Sequence, residues 1–181
     1  MKKRNKVFIA CSLDGYIADK NGGLDWLQTV PNPENIDMGY TAFTKDIDAL
    51  VMGRNTYQTV LGFDVPWPYE KPVFVLSSSL KVVPADLEGK IFFVNGPLKE
   101  VLSHIHKEGH HNLYIDGGKC IQSFLKEDLI DDLILTTIPV LLGDGSPLFS
   151  TFDGPLNFEL TDSKIYLNQI VQNHYQRKWE Q

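Results

Sequence analysis

Tyr114-Ile-Asp-Gly-Gly-Lys-Cys-Ile-Gln-Ser-Phe124 is the stretch on which the fold turns. An apolar run closes on an acidic residue and two glycines, and a helical pattern follows. Strand, tight glycine turn and helix together make a phosphate cradle. Glycine lets the backbone approach an anion with no Cβ in the way, and the helix start presents unpaired N–H groups to it. Gly-Gly after a strand is also simply a turn, so the weight falls on what neighbouring segments add.

Two of them add the same kind of chemistry. Ala49-Leu-Val-Met-Gly-Arg-Asn-Thr-Tyr57 is a buried-type strand running into a glycine, with Arg54, Asn55 and Thr56 in the first helical turn. An arginine fork and a hydroxyl thus flank a helix end that favours anions. Pro72-Val-Phe-Val-Leu76 opens directly into Ser77-Ser78-Ser79. In open α/β sheets ligands bind in the crevice outside the carboxyl ends of strands, and three strand ends here offer glycine, arginine or serine. The combination points to a nucleotide.

Further strands are expected at 6–11, 90–94, 112–115 and 132–138, besides 49–52 and 72–76. Their continuous apolar runs suit a sheet covered by helices on both faces. Helical patterns lie between them at 36–46, 56–61, 97–108 and 119–126, with Pro97 suited to a helix N1 position and Gly109 to a C′ stop. Two alternating strands, 157–167 and 170–179, meet at Asn168-Gln169 and read as a terminal antiparallel hairpin. No repeat or linker interrupts the pattern, so 1–181 is read as one domain.

Composition narrows the function classes. With 43% hydrophobic and 22% charged residues the chain is of globular type, and a formal charge of −6 argues against a general nucleic-acid binder. Lys2, Lys3, Arg4 and Lys6 precede a short apolar run broken by Asp14, which is neither a signal peptide nor a membrane span. Cys11 and Cys120 have no framework spacing, so reduced thiols in a cytoplasm are expected. Adjacent His110 and His111 do not suit one ion, and no metal site is readable.

Ser12-Leu-Asp-Gly-Tyr-Ile-Ala18, Met52-Gly-Arg-Asn-Thr-Tyr57, Asp116-Gly-Gly118 and Pro139-Val-Leu-Leu-Gly-Asp-Gly-Ser-Pro147 stand in an order that resembles the dihydrofolate reductase fold family. Within it the chain is most similar to the branch holding the reductase domain of bifunctional riboflavin-biosynthesis enzymes. The resemblance implies a three-layer α/β fold with a mostly parallel central sheet and a C-terminal antiparallel hairpin. It implies an NADPH-dependent reductase passing hydride to a planar heterocycle, either a pyrimidine such as a 5-amino-6-(ribosylamino)uracil phosphate or a pteridine. It also implies a homodimer, pairing through the hairpin and the loop at 139–147, and a cis peptide bond within Asp116-Gly117-Gly118.

Site residues follow from the same comparison. The diphosphate is expected on Gly117, Gly118, Lys119, Cys120 and Ile121, with Ala10, Gly53, Asn55, Thr56 and Leu76 completing the cofactor set. Arg54 beside Ser77 and Ser78 favours a 2′-phosphate, hence NADPH over NADH. The irregular segment from Ser12 to Asp25 is expected to be either a mobile loop, with Ile17 and Ala18 against the nicotinamide, or a hairpin-like connection. Asp37 is the candidate proton-side carboxylate, buried and so raised in pKa, or else a cap of the following helix. Thr136 supports that carboxylate or is a plain β-former, and Trp26 and Tyr40 stand on the substrate side. Trp67 and Tyr69 either wall a planar ligand or pack on the surface.

Two departures limit the substrate. No arginine near 66–72 can hold a folate glutamyl carboxylate, and the riboflavin-type enzymes recognise a ribose phosphate and are generally fused to a zinc deaminase whose Cys-x-x-Cys pattern is missing here. A catalytically silent NADP-binding sensor or assembly partner of the same fold is the competing reading, and a structural domain without a ligand is the third.

Overall fold

Alternation inside the apolar runs builds one sheet with both faces covered. The computed structural model describes residues 3–179. Its strands are β1 (Arg4–Ser12), β2 (Tyr16–Asp19), β3 (Ala49–Gly53), β4 (Val73–Leu76), β5 (Ile91–Val94), β6 (Asn112–Asp116), β7 (Asp132–Ile138), β8 (Gly145–Pro147), β9 (Phe158–Tyr166) and β10 (Ile170–Arg177). Its helices are α1 (Tyr40–Lys45), α2 (Arg54–Leu61), α3 (Leu98–Lys107) and α4 (Gly118–Lys126). One sheet runs β5-β4-β3-β6-β1-β7-β10-β9, and β2 pairs with β8 apart from it. The six strands from β5 to β7 are parallel. The β9–β10 hairpin adds to β7 antiparallel, as its alternating pattern requires.

Successive residues of each central strand enter opposite cores, since strand side chains alternate. Ala49, Val51, Leu113 and Ile115 join Val7 and the buried stripes of α3 and α4. Leu50, Met52, Tyr114, Val73 and Val75 join Phe43, Ile47 and Tyr57 on the side of α1 and α2. On α4 the stripe is Cys120, Ile121, Phe124 and Leu125, spaced to keep one face on the sheet. Full burial of each large side chain contributes about 1.5–3 kcal/mol.

Three expectations change. The helix expected at 36–46 shrinks to α1, because Asn35, Met38 and Gly39 take left-handed φ values of 51°, 52° and 87°. α3 begins at Leu98, with Pro97 extended at φ −56° and ψ 138° as its cap. The irregular segment after Ser12 becomes a hydrogen-bonded strand, β2, laid against β8.

The hairpin is fastened to the parallel sheet by a charged lock. Buried Asp132 accepts two hydrogen bonds from Arg4, at 2.6 and 2.7 Å, and has His174 Nε2 at 2.9 Å. Burial alone would raise this carboxyl, but the bonds from His174 and Arg4 hold it down at about 2. Among the described residues no helix is long and apolar enough to cross a membrane.

Candidate active site

Two helices begin at the same place. Gly53 precedes α2 and Gly117 precedes α4, and neither helix start has a side-chain cap. Their first-turn N–H groups therefore stay open to an anion. Gly117 and Thr56 bring the two starts together: a Cβ on Gly117 would lie 2.0 Å from Thr56 Oγ1. A Cβ on Gly118 would lie 2.7 Å from Ile17 Cδ1 on β2. The glycines thus open a cradle that any other residue would fill. No cis bond is present among the described residues, so the expected cis peptide at Asp116-Gly117-Gly118 is corrected; Gly117 makes the turn with φ 88° and ψ 135°.

A cleft of about 1130 Å³ spreads over this junction, and the sheet strands deliver its walls. Ala10, Ile17, Gly53, Arg54, Asn55, Thr56, Leu76, Ser77, Ser78, Gly117, Gly118, Lys119 and Cys120 all line it. Ile121 does not. Its side chain is wholly buried in the core and its N–H bonds the Gly117 carbonyl at 2.9 Å, so it belongs to the packing face of α4. The i, i+3, i+4 spacing of Ile121, Phe124 and Leu125 was the signal for that. Arg54 Nη1 reaches Ser79 Oγ at 3.2 Å, while Ser77 Oγ accepts the N–H groups of Ser79 and Leu80. Ser77 therefore shapes the turn, and Ser79, the last of the serine run, is the hydroxyl beside the guanidinium, where Ser77 and Ser78 were expected.

The carboxylate of the site is a correction as well. Asp37 is exposed and stands outside α1, where it accepts the N–H groups of Gly39 and Thr41 at 2.9 and 3.0 Å. Hydrogen bonding at Thr41 and Gly39 lowers its pKa, opposite to the rise expected of a buried acid. Asp37 is the helix cap. Thr136 is buried on β7 and receives Gln172 Nε2 at 2.9 Å; the same amide donates to the Met38 carbonyl at 3.0 Å. It braces the backbone beside Asp37 and does not line the cleft. Trp26 packs in a core with Val30, Ile138 and Ile170, and its neighbours Leu24 and Leu27 face the cleft instead.

Asp116 occupies the floor. Desolvation pushes its carboxyl up to about 6, against the opposing hydrogen bonds of Gly117 N–H and the Tyr114 and Tyr69 hydroxyls. Tyr40, edge-on to Phe8 with ring centroids 5.6 Å apart, feels the Asp116 charge too. Tyr40 thus stands on the Asp116 side but outside the cleft lining. Tyr69 lines the cleft and packs edge-on against Trp67 at 5.2 Å, which decides between wall and surface for that tyrosine. A carboxyl ringed by tyrosines at the end of β6 can hold a proton near neutral pH and pass it to a bound acceptor.

The opening of the cleft is closed on one side by a clasp. Asp14 accepts Ser12 Oγ at 2.6 Å and the N–H groups of Leu142 and Gly143 at 3.1 and 2.7 Å. That ties the segment leading into β2 to the loop leading into β8. Gly145 lets the two strands meet, since a Cβ there would come within 2.1 Å of the Ala18 carbonyl.

Residues 6–172 match the family model of the RibD C-terminal domain. The chain belongs to the RibD C-terminal domain family. It is similar to the uncharacterized protein YwjB of Bacillus subtilis, 34% identical over 98% of this chain and 99% of that one. It is also similar to the crystal structure of a putative riboflavin biosynthesis protein from Shewanella sp. PV-4, with 52% identity, a TM-score of 0.95, and 97% and 99% of the two chains covered. Dihydrofolate reductase from Enterococcus faecalis, solved with NADP(H), shares 18% identity and a TM-score of 0.65 over 96% of each chain, a likeness of fold. RibD C-terminal domains and dihydrofolate reductase-like proteins are reductases, and the two-face parallel sheet described above is theirs.

Proposed function

We propose that the chain is an NADPH-dependent reductase that delivers hydride to a planar nitrogen heterocycle of the pyrimidine or pteridine class. The observation that carries this is the meeting of two uncapped helix starts at Gly117 and Thr56, directly beside a half-buried carboxyl, Asp116. Gly53, Asn55, Thr56, Gly117, Gly118, Lys119 and Cys120 would hold the diphosphate, and Arg54 with Ser78 and Ser79 would hold a 2′-phosphate. When bound, the cofactor supplies the hydride. Ile17, Ala18, Leu24 and Leu27 keep water from the reacting face, and Tyr69 walls the acceptor ring.

Asp116 is the proton store. Tyr114 has one hydroxyl proton and the Phe8 carbonyl accepts it at 2.9 Å. Desolvation at the end of β6 outweighs the hydrogen bonds that favour the charged form of Asp116, which leaves the acid poised near neutral pH. The thiols Cys11 and Cys120 are free and buried, in keeping with a cytoplasmic setting. We also infer a homodimer through the open edge of β9.

Stopped-flow oxidation of NADPH against a panel of pyrimidines and pteridines tests the reading, with NADPH binding followed in parallel by calorimetry. Binding followed by oxidation with at least one panel member is expected. Binding with no oxidation across the panel would instead support the silent NADP-binding reading. The placement of Asp37 in an exposed cap, outside the cleft lining, is the observation that favours that alternative.

A further inference from the structure

Among the described residues that line the cleft, the basic side chains are Arg54 and Lys119. Both belong to helix starts, Arg54 opening α2 beside Ser79 and Lys119 in the first turn of α4. These are the two places where cofactor phosphates are held in the reading above. The remaining wall has no base; its uncharged polar side chains include Thr59, Gln122, Ser123 and Ser146. Ile9, Leu24, Leu27 and Phe63 are apolar, Tyr69 is an aromatic with a hydroxyl, and Asp116 is an acid. The stretch that brings in Phe63 and Tyr69 carries Asp64 and Glu70 and no base between them.

A phosphate placed here would gain no cation and would stand beside a carboxyl. Phosphate-recognising sites do the opposite: they spend an arginine fork, a lysine or backbone N–H groups on each group bound. An uncharged ring meets better partners, an apolar and aromatic wall for its faces and a carboxyl for its N–H edge.

We propose that the acceptor bound beside Asp116 and Tyr69 is an unphosphorylated, neutral or cationic heterocycle, so that this chain selects against the phosphorylated pyrimidine expected of a riboflavin-type reductase. The proposal rests on the NADPH-dependent reading of the same cleft. The reaction that supplies its substrate must then deliver a free base or nucleoside, or remove the phosphate beforehand.

A matched pair separates the possibilities: a 5-amino-6-(ribosylamino)uracil with and without its 5′-phosphate, titrated by calorimetry into the full chain saturated with NADP. The unphosphorylated member should bind at least about tenfold more tightly, a gap of about 1.4 kcal/mol. Asp116→Asn should narrow that gap, and Leu24→Arg, at an exposed position on the wall, should raise affinity for the phosphorylated member alone. Thermal midpoints of both variants show that they are folded. Equal binding, or tighter binding of the phosphorylated member, overturns the proposal and leaves the reductase reading intact. Binding of neither member beside bound NADP overturns the proposal as well. Failure of NADP and NADPH to bind at all removes the reductase reading, and the proposal with it.

Discussion

Asp116 and Asp37 are both aspartates near the carboxyl end of the sheet, yet their surroundings drive their protons in opposite directions. Asp116 loses water to the β6 floor and to Tyr69 and Tyr114, and titrates at about 6. Asp37 keeps water and gains two backbone donors, and titrates below its usual value. The single-turnover rate should therefore fall as pH rises through about 6, and Asp116→Asn should lower it by about 10²–10⁴ and abolish the inflection. The stability sign follows from the same shift. Because the folded pKa lies above the unfolded one, the contribution of Asp116 is present below about pH 4 and is lost as pH rises through about 6. The Asn variant should then be at least as stable as wild type at about pH 8, measured by thermal midpoint, while being slow. Asp37→Asn should change neither rate nor midpoint, since asparagine caps about as well as aspartate; a slow Asp37→Asn chain would return the proton to Asp37. Asp116 stood in plain view in the sequence, but its tyrosine neighbour Tyr69 is brought to it by a distant loop. Arg54, Ser78 and the glycines were legible because their chemistry is local. From Arg54 beside Ser79, NADPH should bind about tenfold more tightly than NADH, and Arg54→Ala should erase that preference. Equal dissociation constants in the wild type would rule it out.

At the scale of elements, the site exists because α2 and α4 start from adjacent strands, β3 and β6, whose order in the sheet is fixed by their buried faces. Apolar runs and glycine turns gave the strands and most helices away from sequence alone. They did not give β2 and β8, because three- and four-residue strands carry too little pattern to read; only the Asp14 clasp and the fit of Gly145 under Ala18 define them. Nor did they give the short α1, whose start is set by left-handed backbone at Met38 and Gly39. The junction itself makes a sharp test. Gly117→Ala adds a Cβ at a φ of 88° and 2.0 Å from Thr56 Oγ1, so the two helix starts must part. NADPH affinity should drop at least about tenfold, with stability lowered by about 1–3 kcal/mol. Adding Thr56→Ala removes the hydroxyl and should recover part of the affinity, while the backbone strain remains. Full affinity in Gly117→Ala, by calorimetry, would show that the cradle is not where the cofactor rests.

At the scale of the molecule, the sheet has two edges, β5 and β9, and β9 is the longer. β9 runs nine residues along that edge, with Leu160 and Ile165 exposed at 53% and 70%. A long strand with free backbone groups and apolar side chains is a surface that natural proteins cover. In the homodimer proposed above, a second copy would cover it with the same strand reversed, because a two-fold contact is self-complementary. Centred on Ser163, such a two-fold would set the Asp162 position of one copy opposite the Lys164 position of the other. Light scattering at micromolar concentration should give the mass of two 20.5 kDa chains. Ile165→Lys puts like charges next to Lys164 on both sides of the axis and should yield monomers whose fold, followed by circular dichroism, is unchanged. A wild-type mass of one chain removes the dimer. A dimer that survives Ile165→Lys moves the contact to the other predicted surface, the 139–147 loop, where Leu141 is 70% exposed.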